Sequence, residues 1–197
     1  MRHALDAPPR RRRLAAGALI AVAALLAGCG NHDLVLHVDL LSFTPELQSP
    51  FVFQPVPAAP GGIATGEQPL VNDQTVNLLE GLGDATSFKD ASLRLRSVAD
   101  ATTGNGTDTL RVYLSDPGTP PRNTTPALTQ VLTFTAGAPD TVTSEIGGDP
   151  RVIALLANKQ LRISVTTSFR GPSTGASLAG RLTVIGLDAV VVAGRKL

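Results

Sequence analysis

Leu34, Leu36, Val38 and Leu40 alternate with Val35, His37 and Asp39 inside the stretch Asn31 to Phe43. A repeat of two places successive side chains on opposite faces, which predicts a half-buried strand. The same alternation returns along the chain. Leu93 and Leu95 alternate with Arg94 and Arg96, Leu110, Val112 and Leu114 with Arg111 and Tyr113, and Leu161, Ile163 and Val165 with Arg162, Ser164 and Thr166. Ala91 to Val98 also fits helical spacing through Phe88, Ala91, Leu95 and Val98, but the following segment supplies a matching strand, so the extended reading is preferred. Between these two lies Asp100 to Asp108, rich in turn formers around Gly104-Asn105-Gly106, which predicts a hairpin.

Leu128 to Thr135 and Thr141 to Ile146 read as further strands, and Gln68 to Leu79 as a weaker one closed by a turn at Gly81-Leu82-Gly83-Asp84. Leu178 to Val192 is apolar on both faces, the mark of a strand in the middle of a sheet, with a bend expected near Gly186. Asp149-Pro150 opens the one helix. An aspartate accepts from the first free N–H groups, proline takes the first helical position, and Val152, Leu155 and Leu156 share a face. From Thr44 to Gly62, Pro45, Pro50, Pro55, Pro57 and Pro60 remove ladder donors and predict an extended surface crossing, with a short edge strand at Phe51-Val52-Phe53. Ser115 to Ala127, marked by Pro117, Gly118, Pro120, Pro121 and Pro126, reads as a long loop. These elements predict an all-β fold, an antiparallel β-sandwich of seven to nine strands with one short crossing helix, a jelly roll being one form open to it.

Charge and composition narrow the classes. Five of the 17 basic and one of the 16 acidic residues fall within residues 1–28, so the remaining 169 residues carry 12 and 15, a net of −3. That balance argues against nucleic acid as a partner. A chain of this length forms one domain that buries roughly 70% of its unfolded surface. Six Phe, one Tyr and no Trp leave little for the stacked rings of sugar-binding faces.

The first 29 residues differ in kind. Arg10 to Arg13 precede Leu14 to Ala27, an uncharged run of 14 apolar or small residues. This is too short for a span that needs roughly 20, and has the layout of an export signal. It closes on Leu26-Ala27-Gly28-Cys29, which holds the only cysteine. The tetrapeptide resembles the lipobox of bacterial lipoprotein precursors, and the resemblance covers residues 1–29 only. It implies signal-peptidase recognition through Leu26, Ala27 and Gly28, a diacylglyceryl group on the Cys29 sulfur, cleavage before Cys29 and acylation of the new amino terminus. Residues 1–28 are then a signal peptide, 29–33 a short lipidated tether and 34–197 a single domain. Gly30, where retention in an inner membrane would favour aspartate, leans towards an outer membrane. The weak twin-arginine likeness of Arg11-Arg12 lacks its flanking residues, which leaves general secretion as the expected route.

No catalytic set emerges. A serine hydrolase needs a histidine base, yet beyond the signal only His32 and His37 remain and no Gly-x-Ser-x-Gly turn occurs. His37 and Asp39 share a strand face but lack the third and fourth ligands of a zinc site. Asp100, Asn105 and Asp108 offer hard oxygens of the type calcium takes, without the spacing of an EF-hand loop; turn chemistry is the plainer account. Neither a phosphate-binding loop nor a dinucleotide-binding glycine pattern appears. Arg94, Arg96, Arg111, Tyr113 and Arg162 are all expected on outward faces, and if their strands share a sheet they form a basic stripe able to meet an anionic partner. The leading expectation is therefore a membrane-anchored, non-enzymatic binding or scaffolding domain of the cell envelope, with no cofactor beyond the lipid on Cys29. Its partner would be an envelope protein or glycan. A glycan-binding or glycan-hydrolysing sandwich using Tyr113 or the 115–127 loop, and a calcium-stabilised adhesion module, are the alternatives.

Overall fold

The computed structural model describes residues 33–78, 86–158 and 160–195. Nine strands lie among them: β1 (Asp33–Asp39), β2 (Phe51–Val52), β3 (Gln68–Asn77), β4 (Thr86–Thr103), β5 (Asn105–Ser115), β6 (Leu128–Thr135), β7 (Asp140–Gly147), β8 (Gln160–Arg170) and β9 (Ala179–Arg195). They form two antiparallel sheets. One has the order β1-β9-β4-β7, with β2 lying beyond β1 along the same edge of β9, and the other has the order β3-β8-β5-β6. The chain changes sheet at every link between these eight long strands except β5 to β6, the winding of a jelly roll. The turn expected at Gly81 to Asp84 lies outside the described residues.

The alternating leucines face inward as expected: Leu93 and Leu95 of β4, Leu110, Val112 and Leu114 of β5, and Leu161, Ile163 and Val165 of β8 are all buried in one core. On β9 the alternation slips. Arg96 pairs with Gly186 but Ser97 pairs with Val184, so Ile185 is an extra residue in a bulge. The slip turns both Leu182 and Val184 before it, and Leu187, Ala189 and Val191 after it, toward the core. This is the bend expected near Gly186.

Helix α1 (Pro150–Leu156) starts as predicted. The Asp149 side chain accepts from Arg151 N at 2.8 Å, Pro150 stands at the first position, and Val152, Leu155 and Leu156 are buried. β1 ends one residue earlier than its pattern suggests. The Asp39 carboxylate accepts from Leu41 N at 3.0 Å and Ser42 N at 3.3 Å, and so starts a 3-10 turn over Leu40–Phe43 that buries Leu40 completely.

The predicted hairpin of β4 and β5 does not form. β4 pairs with β7 and β9, and β5 with β6 and β8. The chain passes from one sheet to the other through Gly104, at φ +66, where an added Cβ would come within 2.5 Å of the Ser177 carbonyl oxygen. Gly104→Ala is expected to cost roughly 1–3 kcal/mol, measured as a lower midpoint of denaturant unfolding; an unchanged midpoint would show that this crossing yields freely.

The proline-marked loop does not stand free either. It folds back so that a 3-10 turn, Pro121–Asn123, packs on β5 and β8 with Pro121 buried. Ala127 N bonds to Val112 O at 2.7 Å. Beneath it the outward residues Tyr113, Ser115, Ser164 and Thr166 are buried.

Asp33 pairs with Gly194, one residue before the last described one, so the two ends of the described chain lie at one end of the sandwich. Thr103 pairs with Ala179 at the other.

Candidate functional site

Cys29, with Leu26, Ala27, Gly28 and His32, lies outside the described residues. The five residues expected to make a basic stripe do not share a face. Arg94 and Arg96 stand on β4 in one sheet, whereas Arg111, Tyr113 and Arg162 stand on β5 and β8 in the other. Because the outer faces of a two-layer sandwich point in opposite directions, the five diverge.

Most of them are also committed locally. Arg94 pairs with Glu145 across the β4–β7 ladder at 3.1 Å. Arg162 grips the Asp73 carboxylate through Nε and Nη2 and donates from Nη1 to Pro117 O at 3.2 Å, with Asp73 at φ 62 in an irregular part of β3. Arg111 meets Glu67 at 3.0 Å and donates to Ser168 Oγ at 3.2 Å. Tyr113, 7% exposed, donates its hydroxyl to the same Glu67 at 3.0 Å, and Arg122 approaches that carboxylate at 3.9 Å. Tyr113 is thus a covered hydrogen-bonding residue, with no ring face open for stacking a sugar. Arg96 is the one of the five whose side chain makes no hydrogen bond or ion pair to a described residue, though its backbone pairs with Gly186 and Thr143.

Asp100, Asn105 and Asp108 are not gathered around a common point. Asp100 pairs with Arg181 at 2.7 Å, and Asn105 accepts from Ala136 N at 3.3 Å. Asp108 faces inward. Its Oδ1 accepts from Thr167 Oγ1 at 2.6 Å and Ser168 N at 3.1 Å, while its Oδ2 is buried without a partner. Loss of hydration raises its pKa to about 6, against the lowering effect of those hydrogen bonds and of Arg111. Asp108 continues the phase of Leu110, Val112 and Leu114, and that phase is the signal that places it in the core. Gln130 is in phase with Leu128, Leu132 and Phe134 for the same reason. It reaches across the core to donate to Leu95 O at 3.2 Å and Val142 O at 3.1 Å on the opposite sheet.

His37 is exposed on β1, and Asp39 is occupied in capping the 3-10 turn. Among the described residues no three His, Cys, Asp or Glu side chains converge in a way that would hold a metal ion.

A mostly apolar hollow lies elsewhere, with Gln54, Thr65 and Gln68 also in its lining. Where β2 borders the gap between the two sheets, a cleft of ≈ 230 Å³ opens beside Phe51, walled by Phe53, Val56, Ile63 and Phe169. Phe53 stacks on Phe169 with centroids 4.0 Å apart, and Phe51 lies parallel to Phe169 at 6.2 Å. Phe134 closes the cluster from within, edge-on to Phe53 at 5.3 Å. Sequence reading assigned the 44–62 crossing to the surface and gave it no role. Phe51 and Phe53 beside so many prolines were the available sign that the crossing packs its rings inward.

No protein-family model matches the chain, and no curated protein matches it. Among solved structures it is similar to a chain in the structure of infectious bursal disease virus Gx strain, at 13% identity and a TM-score of 0.44, over 91% of this chain and 42% of that one. It is also similar to a chain of the T13 particle of that virus, at 13% identity and a TM-score of 0.43, over 92% and 40% respectively. The chain therefore spans about two fifths of the length of those structures' chains.

Proposed function

We propose that this is a lipoprotein of the cell envelope, exported by general secretion and held on a bilayer, favourably an outer membrane, by acyl groups at Cys29. Its jelly roll serves as a non-enzymatic binding or scaffolding module. The observation that carries the reading is the Leu26-Ala27-Gly28-Cys29 box at the close of an uncharged run behind four arginines.

The tether supports it. Only four residue steps separate Cys29 from the first residue of β1, a reach of at most about 14 Å. The end of the sandwich holding Asp33 and Gly194 therefore faces the bilayer, and the end holding Gly104 and the 171–178 loop faces away. Two or more acyl chains make such an anchor stable where one alone gives reversible attachment.

Cys29→Ala is expected to move the protein from the detergent phase to the aqueous phase on detergent partitioning, and mass spectrometry of the wild-type mature amino terminus should find Cys29 first and acylated. A wild-type protein that keeps residues 1–28 with a bare thiol ends the proposal.

A further inference from the structure

We infer that the Glu67 cluster, on the outer face of the β3-β8-β5-β6 sheet, is a recognition site for a carboxylate side chain of a partner protein, which the chain keeps closed with a carboxylate of its own. The inference deepens the envelope-binding reading by naming the partner's chemistry, and it rests on that reading for its orientation.

The occupant identifies the guest. Arg111 and Tyr113, two positions apart on β5, point to the same side of the sheet, and both meet Glu67 Oε1 at 3.0 Å. Arg122, from the 3-10 turn Pro121–Asn123, brings a second guanidinium towards the other oxygen. A carboxylate seated among two arginines and a phenol shows which group these donors take. One acid against two guanidiniums leaves a positive charge in excess, so a further acid is drawn to this spot although residues 29–197 carry a net of −3.

The fit of Glu67 is incomplete. Arg122 Nη2 stands 3.9 Å from Oε2, longer than the roughly 2.7–3.2 Å of a formed N–H···O bond. Thr166, opposite Arg111 on β8, adds a buried hydroxyl that rests beside Tyr113 without completing a hydrogen bond. An incoming carboxylate that also closes on Arg122 therefore gains a contact which Glu67 does not make. Exchange costs little elsewhere, because Tyr113 and Arg111 pass from one carboxylate to another and no donor is stranded. The backbone stays in place. Thr65 N bonds to Phe169 O at 2.7 Å and Gln68 pairs with Thr167 on either side of Glu67, so only the glutamate side chain has to swing.

Protein is favoured over glycan and lipid. The Tyr113 ring is covered and offers no face on which a sugar could stack. Arg170 pairs with Thr107, three residues past the Gly104 crossing, so Gln160, at the other end of β8, marks the side that faces the bilayer. Thr167, beside the cluster, lies seven residues from Gln160, about 23 Å at strand rise. Lipid head groups therefore lie below the site.

The chain holds one tyrosine and no tryptophan, so its intrinsic emission reports Tyr113, which a hydrogen-bonded carboxylate quenches. The test titrates the lipidated protein, in neutral detergent micelles at low salt, with N-acetyl-Ala-Glu-Ala-Glu-Ala-amide and with the same peptide carrying glutamine for glutamate. Calorimetry should show saturable binding of the acidic peptide alone. Glu67→Ala removes the internal competitor and should tighten binding about tenfold or more. Arg122→Gln should weaken it about tenfold, and Arg94→Gln, on the opposite sheet, should leave it unchanged. In the Glu67→Ala protein, Tyr113 emission should rise and then fall again as the peptide fills the vacated place. The site is overturned by equal binding of the glutamine peptide, by no gain from Glu67→Ala, by no loss from Arg122→Gln, or by peptide binding that leaves Tyr113 emission unmoved in the Glu67→Ala protein. Tighter binding of an oligogalacturonate overturns the choice of a protein partner. Cys29→Ala protein should bind the peptide equally well, so a failure of anchoring is told apart from a failure of recognition.

Discussion

Asp108→Asn is expected to abolish a pH dependence of stability that the wild-type protein shows between about pH 4 and pH 7. In the folded state the carboxyl titrates near pH 6, and in the unfolded chain near its ordinary 3.8. A raised carboxyl means that the folded state holds its proton more tightly. Its contribution is therefore complete below the unfolded pKa and is lost as the pH rises through the folded one. The gap corresponds to about 3 kcal/mol, or roughly 6–12 °C in melting temperature for a domain of this size. Asparagine imitates the neutral acid. It keeps an acceptor for Thr167 Oγ1 and Ser168 N, and at the unpartnered Oδ2 position it places two N–H donors where the protonated carboxyl has one O–H, a constant cost that does not change with pH. Other carboxylates titrate in the same range, so the informative quantity is the difference between the two melting curves. It should shift in favour of the variant by about 3 kcal/mol from pH 4 to pH 7.5. Parallel curves would mean that Asp108 is hydrated in solution.

Phe169→Ala should cost about 3–5 kcal/mol, the range for truncating a buried aromatic residue. Phe169 is 1% exposed and touches three other rings, Phe53, Phe134 and Phe51. It is also where the 63–68 segment is tied to the sandwich: its N–H donates to Thr65 Oγ1 at 2.9 Å and its carbonyl accepts from Thr65 N at 2.7 Å. Rings held from several sides cannot collapse into the vacated space, which puts the cost high in the series. Against a total stability of roughly 5–15 kcal/mol, the loss is large. Chemical denaturation followed by circular dichroism checks it, and a loss under about 1 kcal/mol would show the cluster to be loosely packed. Phe51→Ala, at the half-exposed edge of the same cluster, should cost distinctly less.

The two substitutions show where sequence reading succeeds and where it stops. Alternation placed β6 at its observed bounds and put the leucines and valines of β4, β5 and β8 on the buried side, because a strand's side-chain period is a local property of its backbone. The helix start at Asp149-Pro150 was legible for the same reason, since capping involves neighbours in sequence. Pairing is not local. The turn-rich stretch between β4 and β5 suits a hairpin and a crossing between sheets equally well, and only the ladder partners of each strand decide between them. That one undecided step scattered the proposed arginine face over two opposite surfaces. It also moved Asp108 from an imagined loop into the core.

The amino-acid sequence by itself determined which leucines and valines of β4, β5 and β8 face inward, where the helix begins and that Leu26-Ala27-Gly28-Cys29 resembles a lipobox, since all three depend on residues a few positions apart. The tertiary structure alone decided which strands share a sheet, that the proline-marked segments lie down on the sandwich, and that Phe51, Phe53 and Phe169 meet beside a mostly apolar cleft. Those contacts join residues distant in sequence, more than a hundred positions for Phe51 and Phe53 with Phe169, and their free energy comes from surfaces that exist only once both sheets have packed.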